Sequence, residues 1–343
     1  MNNNYDPRGY YNYPYMPSPE QIMFENRKRE DKKILNRMGN VFGLAILLYI
    51  GFSLLVSFVF AALLKRIPAL DFFYSDPMGN SVYSAISSVI FLGGAFFVSH
   101  LILKAKKYTV VIPLGTSYNK QASTYLVMLI TPILMLTTVV INLISQFFQS
   151  AAGVEFSSSL DDIPSSANIA DVLISMIVIA VIPAIIEEVC VRGIVLQPLR
   201  RYGDKFAILM SSIIFSLLHG NMEQIPYTLT AGLLLGYVAV ATGSLWPGII
   251  IHFINNLIAA VISGVLDLYG TTPSTIVAIA IYGSIFVIGI IGAIKYMKLN
   301  YKVVFHKGVN TLKTGEKWEA FFLNPLMVIA VLVMIWVISM YIS

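Results

Sequence analysis

Glu187, Glu188 and Arg192 fall within six positions of one apolar run that begins DVLISMIVIAVIPAII. A charge near the middle of a bilayer costs about 2.5–3.5 kcal/mol even on the lenient insertion scale, so three of them need partners and a reason. Glu188 and Arg192 are four apart, share one face of a helix and can pair. Pairing is what makes their burial tolerable, because an unpaired buried charge is strongly destabilising. Glu187 is turned by about 100° from Glu188 and has no such neighbour. An unpaired, desolvated carboxylate is what general-base chemistry asks for.

The two histidine-bearing segments that follow supply the rest. Phe215 and His219 stand four apart at the end of one segment, so the ring can pack on and orient the imidazole. His252 and Asn256, also four apart, sit inside a later apolar helix and can point to one centre, while Asn255 points elsewhere. Counted at 1.5 Å per residue, Glu187, His219 and His252 come to overlapping depths, in a pocket expected to open toward the basic, cytoplasmic side. Such a group can hydrolyse an acyl bond, which needs a water, a base and donors for the oxyanion. Two imidazoles and a carboxylate can hold Zn²⁺ with a position left for water. Without metal, Glu187 and His219 would activate the water while His252 and Asn256 stabilise the oxyanion. Both versions stay open, and there is no HExxH. Cys190, the single cysteine, has no base beside it and is expected to pack; alone, it permits no internal disulfide.

The elements that must position these residues are read from composition and charge. Of 343 residues, 57% are hydrophobic and 12% charged, with a mean hydropathy of +0.76. About 25% charged is usual for a soluble domain, so a soluble fold is excluded. The expectation is an all-α, polytopic transmembrane helix bundle of about nine spans. They are placed near 41–64, 82–103, 121–148, 172–197, 206–219, 227–241, 245–266, 275–296 and 325–342. Segments five and six are short enough to form a less regular hairpin. With the N-terminus cytoplasmic, the basic clusters at 27–37, 104–107, 200–205 and 295–317 all fall inside, and the acidic loops at 71–76 and 155–171 outside. Because the net charge of +5 is spread over these clusters, it is no nucleic-acid signal.

Four regions follow. Residues 1–40 form a disordered tail, rich in Asn, Tyr and Pro over 1–21, and a basic juxtamembrane segment; no early basic-then-apolar pattern marks a cleavable signal peptide. Residues 41–165 are N-terminal transmembrane helices, 166–266 a catalytic transmembrane core, and 267–343 C-terminal transmembrane helices with a basic cytoplasmic loop, 298–319, suited to the anionic leaflet. Pro183 is expected to kink the helix before the Glu pair. Gly232 and Gly236 form a small-xxx-small pair for close helix packing. No internal repeat of the kind transporters carry is seen.

In EExxxR (Glu187, Glu188, Arg192), FxxxH (Phe215, His219) and HxxxN (His252, Asn256), the chain resembles the CPBP family of intramembrane metalloproteases, also called the Abi or CAAX-protease-like family. The resemblance covers about residues 170–260. It implies a membrane endopeptidase acting in the lipid bilayer on a membrane-associated peptide or protein, with Glu187, His219, His252 and Asn256 at the water or metal. Eukaryotic relatives process prenylated CAAX proteins, and bacterial ones are linked to bacteriocin maturation, self-immunity or signalling. The short loops suit a multi-pass protein of a bacterial plasma membrane. The competing reading from another class is a non-catalytic transporter, or a peptide-binding scaffold or immunity protein, since a polar intramembrane cluster also suits a transport path.

Overall fold

A computed structural model describes residues 17–64, 66–108, 111–154, 156 and 169–342. The tail to residue 16 and the acidic stretch 157–168 lie outside them. The chain folds as helices α1 (Pro19–Leu64), α2 (Phe72–Ser75), α3 (Pro77–Ser87), α4 (Gly94–Ala105), α5 (Lys120–Ala152), α6 (Ile169–Glu188) and α7 (Leu196–Leu199). These are followed by α8 (Asp204–Leu217), α9 (Ile225–Thr242), α10 (Trp246–Tyr269), α11 (Thr271–Lys298), α12 (Thr314–Phe322) and α13 (Pro325–Ser339). Among the described residues the only β pairing is an isolated bridge between Phe156 and Ile342. An all-helical chain is what hydrocarbon demands, because a helix satisfies its own backbone.

Seven helices are long and apolar enough to cross a membrane, and α12 with α13, bent by 75°, makes up to eight. The protein is therefore a multi-pass membrane protein. The count of nine is corrected at the fifth segment. Helix α8 has 14 residues, about 21 Å of rise against about 30 Å of hydrocarbon. It packs on α9 as one hairpin, in which Gly232 lets the helices close: a Cβ there would lie 2.8 Å from Ser212 Cβ. Rows of exposed apolar side chains, Phe58, Phe147, Ile279 and Leu332 among them, suit lipid and not water.

Helix starts follow the sequence. Asp76, Asn119 and Asn324 cap α3, α5 and α13 by accepting from Gly79, Ala122 and Met327 backbone N–H. The helix through Glu188 stays helical past Pro183 and then widens into a π-helix over Val189–Val195. The irregularity thus lies just after the Glu pair, not at the proline. A second π-helix, Ser88–Gly93, joins α3 to α4, and Cys190 Sγ lies 4.0 Å from Leu92 O between the two.

The basic ends gather at one end of the bundle. Asp31 of α1 accepts from Arg201 (2.9 Å) and from the Thr311 N–H and hydroxyl (2.9 and 3.0 Å). Tyr202 donates to Asp31 O, Asp204 accepts from the His306 N–H, and Lys317 donates to Tyr202 O. Lys28 and Lys32 pair with Glu316 and Glu319 of α12. The loop expected to suit the anionic leaflet is clipped onto α1 and the α7–α8 turn. The main hydrophobic core joins the same elements through Leu35, Phe42, Phe96, Leu196, Tyr202 and Phe321.

Candidate active site

Arg192 and Glu188 are both fully buried and pair at 2.9 Å, Nη1 to Oε1, as their spacing predicts. The second Arg192 Nη donates to Gly232 O at 3.2 Å. The guanidinium lies 4.4 Å over the Phe215 ring. Helix α10 comes close because it carries glycine at 248, where a Cβ would meet Glu188 Oε2 at 3.3 Å. One turn further on, His252 Nδ1 reaches Glu188 Oε1 at 3.1 Å. A carboxylate can only accept, so Nδ1 carries the proton of this pair and Nε2 is left bare. That Nε2 faces Glu187 Oε2 at 3.7 Å. Two acceptors this close call for a shared proton, or for a water bridging them.

His219 follows α8 directly, and Gly220, at φ +70°, turns the chain after it. Its Nδ1 lies 2.8 Å from Phe215 O, which again fixes the proton on Nδ1 and leaves Nε2 bare. Asn221 holds the turn, donating to His219 O and accepting from the Gln224 N–H. Phe215 is flanked edge-on by both imidazoles, with ring centroids 4.9 Å from His219 and 6.0 Å from His252. Phe215 is the hub of the group.

Asn256 follows His252 by one turn of α10. Its Oδ1 accepts from Asn255 Nδ2 at 3.4 Å. Asn255, expected to point elsewhere, thus pairs with Asn256.

Glu187 and His219 line a cavity of about 480 Å³ together with Tyr49 and Ser53 of α1, Ser87 of α3 and Gln224. Its direction corrects the sequence reading. Ser57 is 20 residues from Arg37, and Ser84 is 20 residues from Lys104, about 30 Å each along their helices. The cavity therefore runs from Glu187 toward the ends opposite the basic clusters. Depth counting along single helices gave the level of the residues but not which neighbours wall them. The hydroxyl stripes were legible: Tyr49, Ser53 and Ser57 recur every four residues, and Ser84, Ser87 and Ser88 share one face.

A Zn²⁺ ion would need at least three side chains converging on one point. The bare Nε2 of each histidine and the orphaned Glu187 Oε2 are the right donors. Among the described residues, however, no three His, Cys, Asp or Glu side chains converge closely enough to hold an ion. The arrangement suits a water between Glu187 and His252, and does not fit a metal.

The family model described as type II CAAX prenyl endopeptidase Rce1-like matches residues 169–258. Over that stretch the chain is similar to the CAAX prenyl endopeptidase family. No curated protein and no solved structure matches it. The matched stretch begins where α6 begins and ends just past Asn256, so Glu187, Glu188, Arg192, Phe215, His219, His252 and Asn256 all fall inside it. The first three spans and the last two lie outside it, yet α1 and α3 supply much of the cavity wall.

Proposed function

We propose that the protein is an intramembrane endopeptidase in which Glu187 activates water. The observation that carries this is a buried carboxylate oxygen, Glu187 Oε2, without a hydrogen-bond partner, 3.7 Å from a bare imidazole nitrogen at the wall of a cavity. Carboxylates kept unpaired inside a membrane are functional by default.

In the reaction, Glu187 takes a proton from a water whose oxygen bonds to the peptide carbonyl carbon. The carbonyl electron pair moves onto oxygen as an oxyanion, met from one turn beyond His252 by the amide N–H of Asn256, while the bare Nε2 of His219 accepts the water's other hydrogen. Glu187 then passes that proton to the bare Nε2 of His252, which is steadied through Nδ1 by Glu188 and delivers it to the amide nitrogen as the C–N bond breaks. A carboxylate and an amine leave. Glu188 plays the part that a buried acid plays behind a catalytic histidine, and Arg192 balances its charge. The substrate is a membrane-associated protein or peptide. The prenylated CAAX end that the family description names is one candidate class, and a bacterial plasma membrane remains the proposed setting.

The test is cleavage of a membrane-tethered, fluorophore–quencher peptide library by purified protein and by Glu187→Gln. Cleavage by the native protein alone supports the reading; equal cleavage by both removes it and restores a transporter or peptide-binding scaffold. A chelator arm addresses Zn²⁺. Unchanged activity fits the metal-free geometry. Loss on chelation with recovery on Zn²⁺ would mean that Glu187, His219 and His252 close around an ion in the working enzyme.

A further inference from the structure

The walls between Glu187 and the far membrane face carry more hydroxyls than packing requires. Helix α1 contributes Ser53 and Ser57, and the α3 side contributes Ser84, Ser87 and Ser88. Near the mouth the two helices are joined by Phe60 and Tyr83, with ring centroids 5.4 Å apart. Ser53 and Ser88 donate to carbonyls of their own helices, Tyr49 O at 2.8 Å and Ser84 O at 3.0 Å. Their lone pairs stay open to an incoming N–H. Ser87 Oγ is buried and has no partner, so it can both donate and accept. A buried hydroxyl left unpaired is costly, which makes Ser87 an oddity unless something docks on it.

The occupant is constrained by charge. No Lys, Arg or Asp lines this cavity; apart from tyrosines, its ionisable groups are Glu187 and His219, at the inner end. A charged segment would find no counter-ion along the walls. A substrate helix that must unwind for cleavage, however, frees backbone N–H and C=O groups that hydrocarbon cannot satisfy. Hydroxyls serve both kinds. A cavity of about 480 Å³ is in the range that encloses a short peptide segment.

We propose that this hydroxyl-lined trench between α1 and α3 is the peptide subsite. It receives an unwound, uncharged stretch of substrate from the face opposite the basic helix ends, and Ser87 is the positioning residue that holds its backbone. The inference rests on the protease reading, and the experiment separates the two.

Ser84→Cys is placed in a Cys190→Ala background of the full chain in sealed vesicles, with Lys33→Cys marking the basic end. A membrane-impermeant maleimide should reach Ser84→Cys from the side opposite Lys33→Cys. Labelling from the Lys33 side alone overturns the proposed entry. In the same variant carrying Glu187→Gln, a pool of lipid-anchored peptides with a randomised uncharged segment should slow the labelling, whereas a pool with lysine in that segment should not. No protection by the uncharged pool overturns the subsite, even if the native protein cleaves peptides. Protection without cleavage by the native protein retains a peptide site and removes the protease. For peptides that are cleaved, Ser87→Val should raise KM about two- to tenfold with little change in kcat, and Ser87→Thr should restore it. A fall in kcat at constant KM would contradict a positioning role.

Discussion

The two ends of this bundle treat buried polar groups in opposite ways. At the basic end, Asp31 is 1% exposed and both its carboxylate oxygens are met, by Arg201 and by Thr311. Asp204 is likewise shared between Arg200 and the His306 N–H. At mid-depth and beyond, the pattern reverses. Among the described residues, six buried side-chain polar atoms have no hydrogen-bond partner. Four of them, on Ser87, Glu187, Glu188 and Arg192, sit at the Glu/His group or its cavity. Orphaned polar atoms are rare in native proteins and ask for an explanation. The other two, on His100 and Tyr296, lie within a turn of Lys104 and Lys295. The contrast is therefore one of degree: the carboxylates at the basic end are met, while the orphans gather at the Glu/His group and its cavity.

The largest expected effect separates those roles at Glu187 itself. Glu187→Gln should lower cleavage by at least about 10²–10⁴-fold, with thermal stability unchanged, because it removes no hydrogen bond the fold uses. Glu188→Gln should behave differently, since it strands Arg192 as a buried, uncompensated cation. A stability loss of about 3–5 kcal/mol is expected, read as a lower denaturation midpoint in detergent. A stable Glu188→Gln protein would mean that Arg192 has another counter-ion.

Asp31→Ala probes the closed end. It unties the 299–313 loop from α1 and should cost about 1–3 kcal/mol; the half-exposed Arg201 limits the share due to charge. Cleavage per folded molecule should stay the same. Gly232→Ala lies between the two ends. A Cβ there is forced against Ser212, which should part α9 from α8 and shift the carbonyl that holds Arg192. Stability should fall by about 1–3 kcal/mol, and cleavage with it.

The smallest effect is one of pH. The hydrogen bond from Lys28 holds the Glu316 carboxyl below its ordinary value, and Glu316 holds the Lys28 ammonium above its own. A lowered carboxylate stabilises above its unfolded pKa and loses that as pH falls through the folded value. A raised ammonium stabilises below its unfolded value of 10.5 and loses that as pH rises through the folded one. This surface pair should therefore be flat with pH across neutrality and fade only at the acid and alkaline extremes. Salt should weaken it at any pH. A transition near neutral pH in the docking of α12, followed by Trp318 fluorescence, would implicate a group other than this pair.

How much of this was legible in the sequence depends on whether the signal was local. The i,i+4 spacings of Glu188 with Arg192 and of Phe215 with His219 gave real contacts, because one turn of helix decides them. Charge counting put the basic clusters on one end, and the Asp31 and Lys28 contacts join α1, the α7–α8 turn and the 299–319 region there. Relations between helices were not legible. That Glu188 would be shared by Arg192 and His252 depends on how α6 and α10 pack. Asn256 shares a face with His252 but found Asn255 first. The direction of the cavity was missed for the same reason: serines 53, 57, 84, 87 and 88 stand in spans without any recognised motif, and only packing brings them opposite Glu187.

The central claim is that Glu187 is held unpaired for chemistry and not for stability. Its most direct test is one preparation of Glu187→Gln, measured for both thermal unfolding and cleavage of a tethered peptide beside the native protein. The account predicts an unchanged midpoint with cleavage abolished. Retained cleavage, or an unfolding loss as large as that of Glu188→Gln, would contradict it.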